Sequence, residues 1–397
     1  MLENIADILN EERLLIHLQP ILSLHGRTLF GFEALVRGVT SEGVILPPSW
    51  LFLEAEKAGL TTELDRQARY AAIHTFAPLW KENPKLLLFV NFESKLIDGF
   101  KLGDYLFDGI LKSIGIPYAN IVLEIKEDEI SDTSRLKEFC DHYRDLGFNI
   151  ALDDFGVGQS SFDRLGIVRP DIIKIDRSLI DGIEHNYIHQ EVVHAICNMC
   201  RNLGSIALAE GVETLEEATW CTYLGATLVQ GFWFARPSSD PIHKNFSIKV
   251  DQVKLRWHQM MANQKLHHEM LRTRAESLCH DFNDTIVNIT NIMEWAEYFG
   301  KNLDNYPDIE ALYLIDSHAK QIGSTLLRCT TRAFFEPTAD GYDHSYKEYY
   351  LRAIESSDGF YLTGRYLSLA SGNSCRTYSR TLTLQGKQYV FCIDFME

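Results

Sequence analysis

The 397-residue chain contains no apolar run long enough to cross a bilayer. Its most apolar short run, KLLLFV at residues 85–90, is far below the roughly 20 residues that a membrane span needs. The opening residues, MLENIADILNEERLL, lack a basic region followed by a long apolar stretch, which argues against a signal peptide. We therefore expect no membrane span and a cytoplasmic location.

Basic residues are too few for a general nucleic-acid-binding surface. The chain has 38 lysines and arginines against 55 aspartates and glutamates, a formal net charge of -17. This balance argues against a nucleic-acid polymer as a partner. A small anionic ligand stays compatible with it, because a bound metal ion can reverse the sign of a local field.

The eight cysteines lack the spacing that marks a disulfide framework. We expect them to be reduced and mostly buried. Cys197 and Cys200 form a lone C-x-x-C inside EVVHAICNMCRNLG, which has the periodicity of an amphipathic helix. Packing is the simpler interpretation, since zinc would need two more ligands and redox use would need a thioredoxin-like context.

Residues 15 to about 235 alternate short apolar strand patterns with longer helical patterns. The strand candidates are LIHLQPIL (15–22), TLFGFEALV (28–36), LLLFVNF (86–92), IVLEI (121–125), NIALDDF (149–155), DIIKID (171–176), SIALAEGV (205–212) and TLVQGFWF (227–234). This repeated order predicts an α/β fold, a TIM-like (β/α)8 barrel. SLHG (23–26) is too short for a parallel crossover, so the first two strands should form an antiparallel hairpin.

The pattern changes twice beyond the barrel. Residues 244–304 repeat apolar side chains at helical spacing, which predicts a linker of one long helix or two. Residues 305–397 show strand, turn and strand in ALYLIDSHAKQIGSTLL, then three strands in GFYLTGRYLSLA, SCRTYSRTLTL and KQYVFCIDF. We predict a barrel over 1–243, a helical linker over 244–304 and a small α+β domain over 305–397.

Seven of the barrel strand candidates carry a polar residue at or near the strand end, in an apolar context. These residues are Glu33, Asn91, Glu124, Asp153 with Asp154, Lys174, Glu210 and Gln230. One such residue alone is commonly a helix cap or a surface ion-pair partner. Seven strands together indicate a site, because chemistry in TIM barrels collects at the C-terminal ends of the strands. Five carboxylates at one barrel mouth would repel one another unless cations neutralise them.

The side chains of this set predict hard divalent ions. None of the 14 histidines falls at these strand ends, which favours Mg²⁺ or Mn²⁺ over zinc. Adjacent Asp153 and Asp154 suit two ions about 3.5–4 Å apart, the usual device for phosphodiester hydrolysis. Lys174 would orient the attacking water or stabilise negative charge in the transition state. Its alternative role is only to neutralise surplus negative charge.

These stretches resemble the motifs of the EAL-type cyclic di-GMP phosphodiesterase family. Glu-Ala-Leu stands at 33–35 in GFEALVRG, and LFVNF, LEIKE, ALDDFGVGQSS, DIIKID, AEGVET and QGFWFARP follow in the family's order. The resemblance covers about residues 10 to 240 and implies metal-dependent hydrolysis of cyclic di-GMP to linear pGpG. It also implies a homodimer formed near residues 127–165. Ca²⁺ is expected to inhibit, because it is larger and more flexibly coordinated than the ions that support in-line attack.

The resemblance assigns residues to the two ions. The implied ligands of the first are Glu33, Asn91, Glu124 and Asp153. The implied ligands of the second are Asp153, Asp154 and Glu210, with Asp153 bridging.

The resemblance also implies roles in catalysis and binding. Lys174 would contact the attacking water, and Asp154 would help to deprotonate it. The implied dinucleotide-binding residues are Gln19, Arg37 and Gln230, with Arg37 pairing with a phosphate. Glu127 would anchor the loop after DDFG, and Glu213 would support the site structurally.

Three residues depart from the family pattern. Lys126 in LEIKE replaces a threonine, and Val157 and Gln159 in DDFGVGQSS replace threonine and tyrosine. The changes concern loop anchoring and dimer coupling more than metal binding. They leave the level of activity open, so the alternative to the enzyme is a weak or inactive cyclic di-GMP receptor. A third reading is a two-metal phosphoesterase acting on another substrate.

A subgroup of this family carries a PAS-like or Cache-like module after a long helix. Residues 305–397 resemble that module in layout, so we expect a sensor or regulatory domain that could bind an unidentified small ligand. Arg376, Tyr378 and Asp394 lie on predicted strands and could line its pocket. The alternative is that they are ordinary surface strand residues.

Overall fold

The computed structural model describes residues 4–93, 97, 108–126, 132–157, 162–241, 246–286, 291–300, 303–328 and 336–396. The chain divides into two compact units, residues 1–260 and 261–397. Within the described ranges, no helix combines the length and apolarity that a bilayer crossing requires.

The strands of the first unit form a closed barrel. Their bounds are β1 Leu14–Ser23, β2 Thr28–Val39, β3 Ile45–Leu46, β4 Leu87–Phe92, β5 Ile121–Lys126, β6 Asn149–Phe155, β7 Ile172–Ile175, β8 Ile206–Ala209 and β9 Leu228–Val229. The hydrogen-bonded order is β1-β9-β8-β7-β6-β5-β4-β2, and β1 also pairs with β2, which closes the ring. The short β3 lies outside it, beside β2. The predicted barrel of eight strands is confirmed.

The first strand is antiparallel to both of its neighbours, as predicted. It pairs with β2 from Leu14 opposite Gly38 to Ser23 opposite Thr28, and with β9 at Leu22 and Ser23. The pairs from β2 through β4 to β9 are parallel. The four-residue turn between β1 and β2 allows only this hairpin, and the barrel closes around it.

Helices surround the barrel. Their bounds are α1 Ile5–Asn10, α2 Pro48–Ala58, α3 Thr61–Glu82, α4 Asp108–Ile114, α5 Thr133–Leu146, α6 Phe162–Val168, α7 Arg177–Ile180, α8 Tyr187–Leu203 and α9 Leu215–Leu224. Several end at a glycine: Gly147, Gly204 and Gly225 adopt the left-handed conformation that terminates a helix. The apolar faces of these helices pack on the outside of the strands in one large core.

The last barrel strand is shorter than predicted. TLVQGFWF suggests a strand over 227–234, but β9 contains only two residues. The reason is Gly231, whose backbone packs so closely on Val212 that an added Cβ would lie 2.0 Å from the Val212 carbonyl oxygen. Residues 231–235 then form a turn in which Phe234 and Ala235 donate backbone hydrogen bonds to the Gly231 carbonyl.

A helix of 41 residues, α10 Phe246–Ile286, begins in the first unit and continues into the second. The remaining elements are α11 Trp295–Gly300, β10 Ile309–Asp316, β11 Gln321–Leu327, α12 Glu348–Glu355, β12 Phe360–Leu362, β13 Tyr366–Leu367, β14 Ser374–Leu384 and β15 Lys387–Met396. The sheet order is β11-β10-β15-β14-β12, all antiparallel, with β13 also on β14. One face packs on Phe282 and its neighbours of α10, and the other packs on α12.

GFYLTGRYLSLA forms two short strands rather than the predicted single one. Leu362 pairs with Tyr378 and Tyr366 pairs with Cys375. The three residues between Leu362 and Tyr366 therefore lie opposite the two residues between Cys375 and Tyr378. The extra residue interrupts the ladder of backbone hydrogen bonds.

The described cysteines are free and buried in both units. Cys197 and Cys200 pack on the inner face of α8, and burial raises the pKa of each thiol. The buried surroundings of these two cysteines agree with the packing role that we expect from the sequence.

Candidate active site

A layer of apolar side chains fills the barrel interior and positions the polar residues at its mouth. This layer is formed by Ile21, Phe89, Val122, Ala151, Ile172, Leu208 and Leu228. Each has a predicted site residue two positions away, on the same strand or, for Glu210 and Gln230, just past the end of β8 and β9. This spacing places the two residues of each pair on one face. The site residues of this set are Gln19, Asn91, Glu124, Asp153, Lys174, Glu210 and Gln230. The two-residue alternation of the strands therefore brings them together above a sealed floor.

Lys174 is the centre of the cluster. Its Nζ atom lies 2.6 Å from Glu124 Oε1, 2.8 Å from Asp153 Oδ1 and 2.7 Å from Glu210 Oε1. Glu33 Oε1 is 3.8 Å away. The side chain of Lys174 is only 1% exposed, so these carboxylates replace the water that an ammonium group would otherwise bind.

Glu33 accepts hydrogen bonds from two amides, and a third amide joins this network through Gln230. Gln230 Nε2 donates to Glu33 Oε2 at 2.6 Å and lies 3.1 Å from Gln19 Oε1. Asn91 Nδ2 donates to Glu33 Oε1 at 3.3 Å, and Gln19 Nε2 donates to the Ala235 carbonyl at 3.2 Å. These predicted ligands and binding residues form one network across β1, β2, β4 and the end of β9.

The adjacent aspartates both reach the barrel mouth because β6 bulges. A regular strand would point neighbouring side chains to opposite faces. Here Ala151 and Leu152 pair with Ile172 and Ile173, but Phe155 pairs with Ile175, so two residues oppose one. Asp154 occupies the extra position with a φ of 53°, a left-handed conformation that aspartate tolerates better than most residues. Both aspartates line the same cavity as a result.

Negative charge is in excess at this mouth. Five carboxylates (Glu33, Glu124, Asp153, Asp154 and Glu210) are placed with the ammonium groups of Lys174 and Lys126. Burial raises the pKa of Glu210 to about 8 and that of Glu124 well above its usual value, and neighbouring carboxylates add to both shifts. Burial would lower the pKa of Lys174, but the surrounding carboxylates together raise it well above its usual value. Lys174 therefore stays charged.

The donor set fits divalent cations. One oxygen each from Asp153, Asp154 and Glu210 lies within 4.8 Å of the others. Glu124 Oε2 and Gln230 Oε1 are buried oxygens with no hydrogen-bond partner among the described residues. Oxygen-rich, negatively charged sites of this kind suit Mg²⁺ or Mn²⁺.

Two further predicted residues lie close to the cluster. Arg37 is four residues after Glu33 on the same face of β2; its Nη1 donates to the Val36 carbonyl at 2.8 Å. Glu213 Oε1 lies 2.7 Å from Arg177 Nη1, which ties the loop after β8 to α7. Glu127 and Gln159 lie outside the described residues.

Three residues that line the cavity are not among the predicted site residues. The cavity has a volume of about 420 Å³ and is lined partly by Asp65 and Arg69 of α3. These two form a buried ion pair, and the Arg69 guanidinium lies 4.9 Å from the Phe92 ring centre. The available signal is an Asp and an Arg four residues apart on the apolar face of LDRQARYAAI. Lys126 also lines the cavity, and its Nζ donates to Asp154 Oδ2.

A model of the EAL domain family matches residues 2–237, more than half of the chain, and the chain therefore belongs to this family. PdeR of Escherichia coli K12, a cyclic di-GMP phosphodiesterase, is 29% identical over 235 residues, 59% of this chain and 35% of PdeR. The EAL-domain containing protein YkuI of Bacillus subtilis is 23% identical over 98% of this chain and 96% of its own. The chain spans less than half of PdeR and of a second E. coli relative, PdeB, of which it covers 44%.

Solved structures show the same fold. The crystal structure of YkuI with substrate c-di-GMP and calcium has a TM-score of 0.81 at 22% identity over 100% of both chains, a likeness that includes the second unit. Klebsiella pneumoniae BlrP1, in a calcium and cyclic di-GMP complex, has a TM-score of 0.52 at 29% identity, over 57% of this chain and 56% of BlrP1. BlrP1 has also been solved with manganese and cyclic di-GMP.

Proposed function

We propose that the barrel is a metal-dependent phosphodiesterase that hydrolyses cyclic di-GMP to linear pGpG. The observation that carries this proposal is the contact of Lys174 with Glu124, Asp153 and Glu210 at a cavity into which the bulge of β6 turns both Asp153 and Asp154. The BlrP1 complexes and the activity named for PdeR support cyclic di-GMP as the substrate.

The proposed cofactors are two Mg²⁺ or Mn²⁺ ions. Glu33, Asn91, Glu124 and Asp153 would hold one ion, and Asp153, Asp154 and Glu210 would hold the other. When bound, such a pair polarises the phosphodiester and makes water a better nucleophile at neutral pH. Ca²⁺ would occupy the same oxygens and inhibit, because its looser coordination does not fix the in-line geometry.

The protein's own residues would position the attacking water and the dinucleotide and would stabilise the charge that develops on the phosphate. The buried ammonium of Lys174 would hold the attacking water and stabilise the negative charge that develops on the phosphate. Asp154, which is partly exposed to the cavity, would accept the proton of that water. One phosphorus–oxygen bond forms to water as the bond to the 3′ oxygen breaks. Gln19, Arg37 and Gln230 would hold the dinucleotide, with Arg37 on a phosphate.

Turnover by the purified full chain tests this proposal. With Mg²⁺ or Mn²⁺ and cyclic di-GMP we expect pGpG, and we expect Glu33→Gln to lose at least about a hundredfold in rate because it weakens the first ion site. Glu82→Gln, an exposed position at the end of α3, is the matched control and should keep full activity. Binding of cyclic di-GMP without any pGpG, with either ion, would contradict the enzyme.

That outcome would support the second candidate, a cyclic di-GMP receptor. The contact between Lys126 and Asp154 favours it, because a protein cation placed on Asp154 competes with the second ion. The two candidates predict the same binding and differ only in turnover.

We further propose a homodimer in the cytoplasm, where a bacterial second messenger acts. Phe162, at the start of α6, is 72% exposed, and nearby Val157 is 44% exposed. Both lie in the segment that the family resemblance assigns to the dimer, and a partner would bury them. Sedimentation velocity should show a dimer for the native chain and a monomer for Phe162→Glu. A monomeric native chain would contradict the dimer.

A further inference from the structure

The second unit contains a small polar cavity that the proposed barrel chemistry does not use. It has a volume of about 60 Å³ and lies on the sheet face that packs on α12. Its lining comes from β10, β11, β13 and β15, from the segment that leads into α12 and from α12 itself. Of the three strand residues that the sequence suggests for a pocket, Asp394 lines this cavity. Tyr378 packs in the core on the opposite face, and Arg376 lies against His268 of α10.

Asp394 is a buried carboxylate without a countercharge. The residue is 2% exposed, and its Oδ1 accepts hydrogen bonds from the Tyr313 hydroxyl at 3.2 Å and the Thr377 hydroxyl at 2.6 Å. No lysine, arginine or histidine in the described part of the chain forms an ion pair with it. Burial raises the pKa of Asp394 to about 7, and the Glu310 carboxylate adds to the shift. Buried carboxylates are ordinarily paired, and the described residues supply no cation for this one.

Aromatic rings form much of the cavity wall. Tyr313, Tyr349 and Tyr366 line it, and the first two meet edge to face with ring centres 5.7 Å apart. Tyrosine faces attract cations, and cages of such rings recognise ammonium groups. Tyr342, also in the lining, is 41% exposed, so the wall reaches the protein surface.

The other ionisable groups in the lining do not supply the cation. Burial and the neighbouring Lys347 lower the pKa of His344 to about 4, so its ring is neutral at physiological pH. Both ring nitrogens of His344 are occupied, by Tyr349 Oη at 2.9 Å and Gln321 Oε1 at 3.0 Å. Lys347 is half-buried and forms no ion pair with Asp394.

We propose that this cavity binds the ammonium head group of a small amine, with Asp394 as its countercharge and the tyrosine rings as its walls. The volume equals about two liquid waters, enough for the head group, while the rest of the amine would extend toward Tyr342 and solvent. The proposal is independent of the barrel's activity. The alternative is that Asp394 is protonated and acts only as a neutral hydrogen-bonding group of the core.

Calorimetric titration of the full chain with methylammonium, ethylammonium and trimethylammonium chloride tests the proposal. We expect saturable binding of at least one amine above neutral pH, and none of sodium chloride at equal ionic strength or of methanol, a neutral molecule of methylammonium size. Asp394→Asn keeps the oxygen that accepts from Tyr313 and Thr377 but removes the charge, so affinity should fall about ten- to a hundredfold. Asp358→Asn, an exposed position in the same unit, is the matched control and should bind like the native chain.

A second pair of variants keeps the test valid if Asp394→Asn folds poorly. Tyr366→Phe keeps the ring and should bind within about twofold of the native chain, whereas Tyr366→Leu should lose about two- to fivefold. Absence of binding for all three amines would overturn the proposal. So would equal binding by Asp394→Asn, or equal binding of methanol.

Discussion

The contact between Lys126 and Asp154 predicts that Lys126→Thr binds divalent ions more tightly than the native chain does. Asp154 is a proposed ligand of the second ion, and Lys126 Nζ already donates to its Oδ2. An incoming ion must displace this ammonium group and then bind beside a positive charge. Threonine removes both costs and restores the residue that the family pattern has at this position.

The size of the expected gain in Mn²⁺ affinity depends on how exposed the two side chains are to solvent. The side chains of Lys126 and Asp154 are 43% and 41% exposed, so solvent screens their interaction strongly. Ion pairs of this kind contribute about 0.2–1 kcal/mol, and 1 kcal/mol corresponds to about fivefold in affinity. We therefore expect Mn²⁺ affinity at the proposed second site, which includes Asp154, to rise about two- to fivefold in Lys126→Thr, with the first site nearly unchanged.

Calorimetric titration with Mn²⁺ in the absence of substrate measures this directly. The control is Lys85→Thr, which removes the same charge from an exposed position before β4, at the opposite end of the barrel. Unchanged or weaker Mn²⁺ binding by Lys126→Thr would show that Lys126 does not compete with the ion, and an equal gain in Lys85→Thr would show that the effect is not specific to this contact.

Three further predictions follow from buried groups. Lys174→Met leaves carboxylates unpaired, so urea unfolding in EDTA should show a loss of about 3–5 kcal/mol that Mn²⁺ partly restores; an unchanged midpoint would contradict this. Asp394 has a pKa near 7 in the folded chain and near 4 when unfolded, so the folded state binds its proton more tightly and loses stability as pH rises through this range. Asp394→Asn has no carboxyl proton to lose. At pH above 7 it should therefore slow amide hydrogen exchange in β14 and β15 relative to the native chain, by up to about 4 kcal/mol in the free energy of local opening. Below pH 4 the two chains should exchange at similar rates. Gly231→Ala should destabilise the barrel by about 1–3 kcal/mol in thermal unfolding, whereas Gly166→Ala, whose Cβ would meet nothing within 4 Å, should not.

The barrel and most of its mouth can be predicted from the sequence because both depend on local alternation. Phe89 and Asn91, or Ile172 and Lys174, are two residues apart on one strand, and that spacing alone places the polar residue above the apolar one. The hairpin of β1 and β2 follows from the length of its turn. The strand-end residues can be expected to share one cavity because the parallel strands of a barrel all end on the same side.

The rest depends on contacts between residues distant in sequence. The bulge that turns Asp154 into the cavity is a register shift between β6 and β7, which neither strand reveals alone. The short β9 results from close packing of Gly231 on Val212. Asp394 looks like a surface strand residue in sequence, and only the pairing of β10, β14 and β15 shows that it is buried beside Tyr313 and Thr377.

In the proposed reaction, water attacks a phosphodiester bond of cyclic di-GMP at the mouth of the barrel. Incubation of the full chain with Mn²⁺ and cyclic di-GMP in oxygen-18 water, followed by mass spectrometry of the product, shows whether it does. We expect pGpG that carries one oxygen-18 atom in its terminal phosphate. Recovery of intact cyclic di-GMP from a protein that binds it would rule out this reaction.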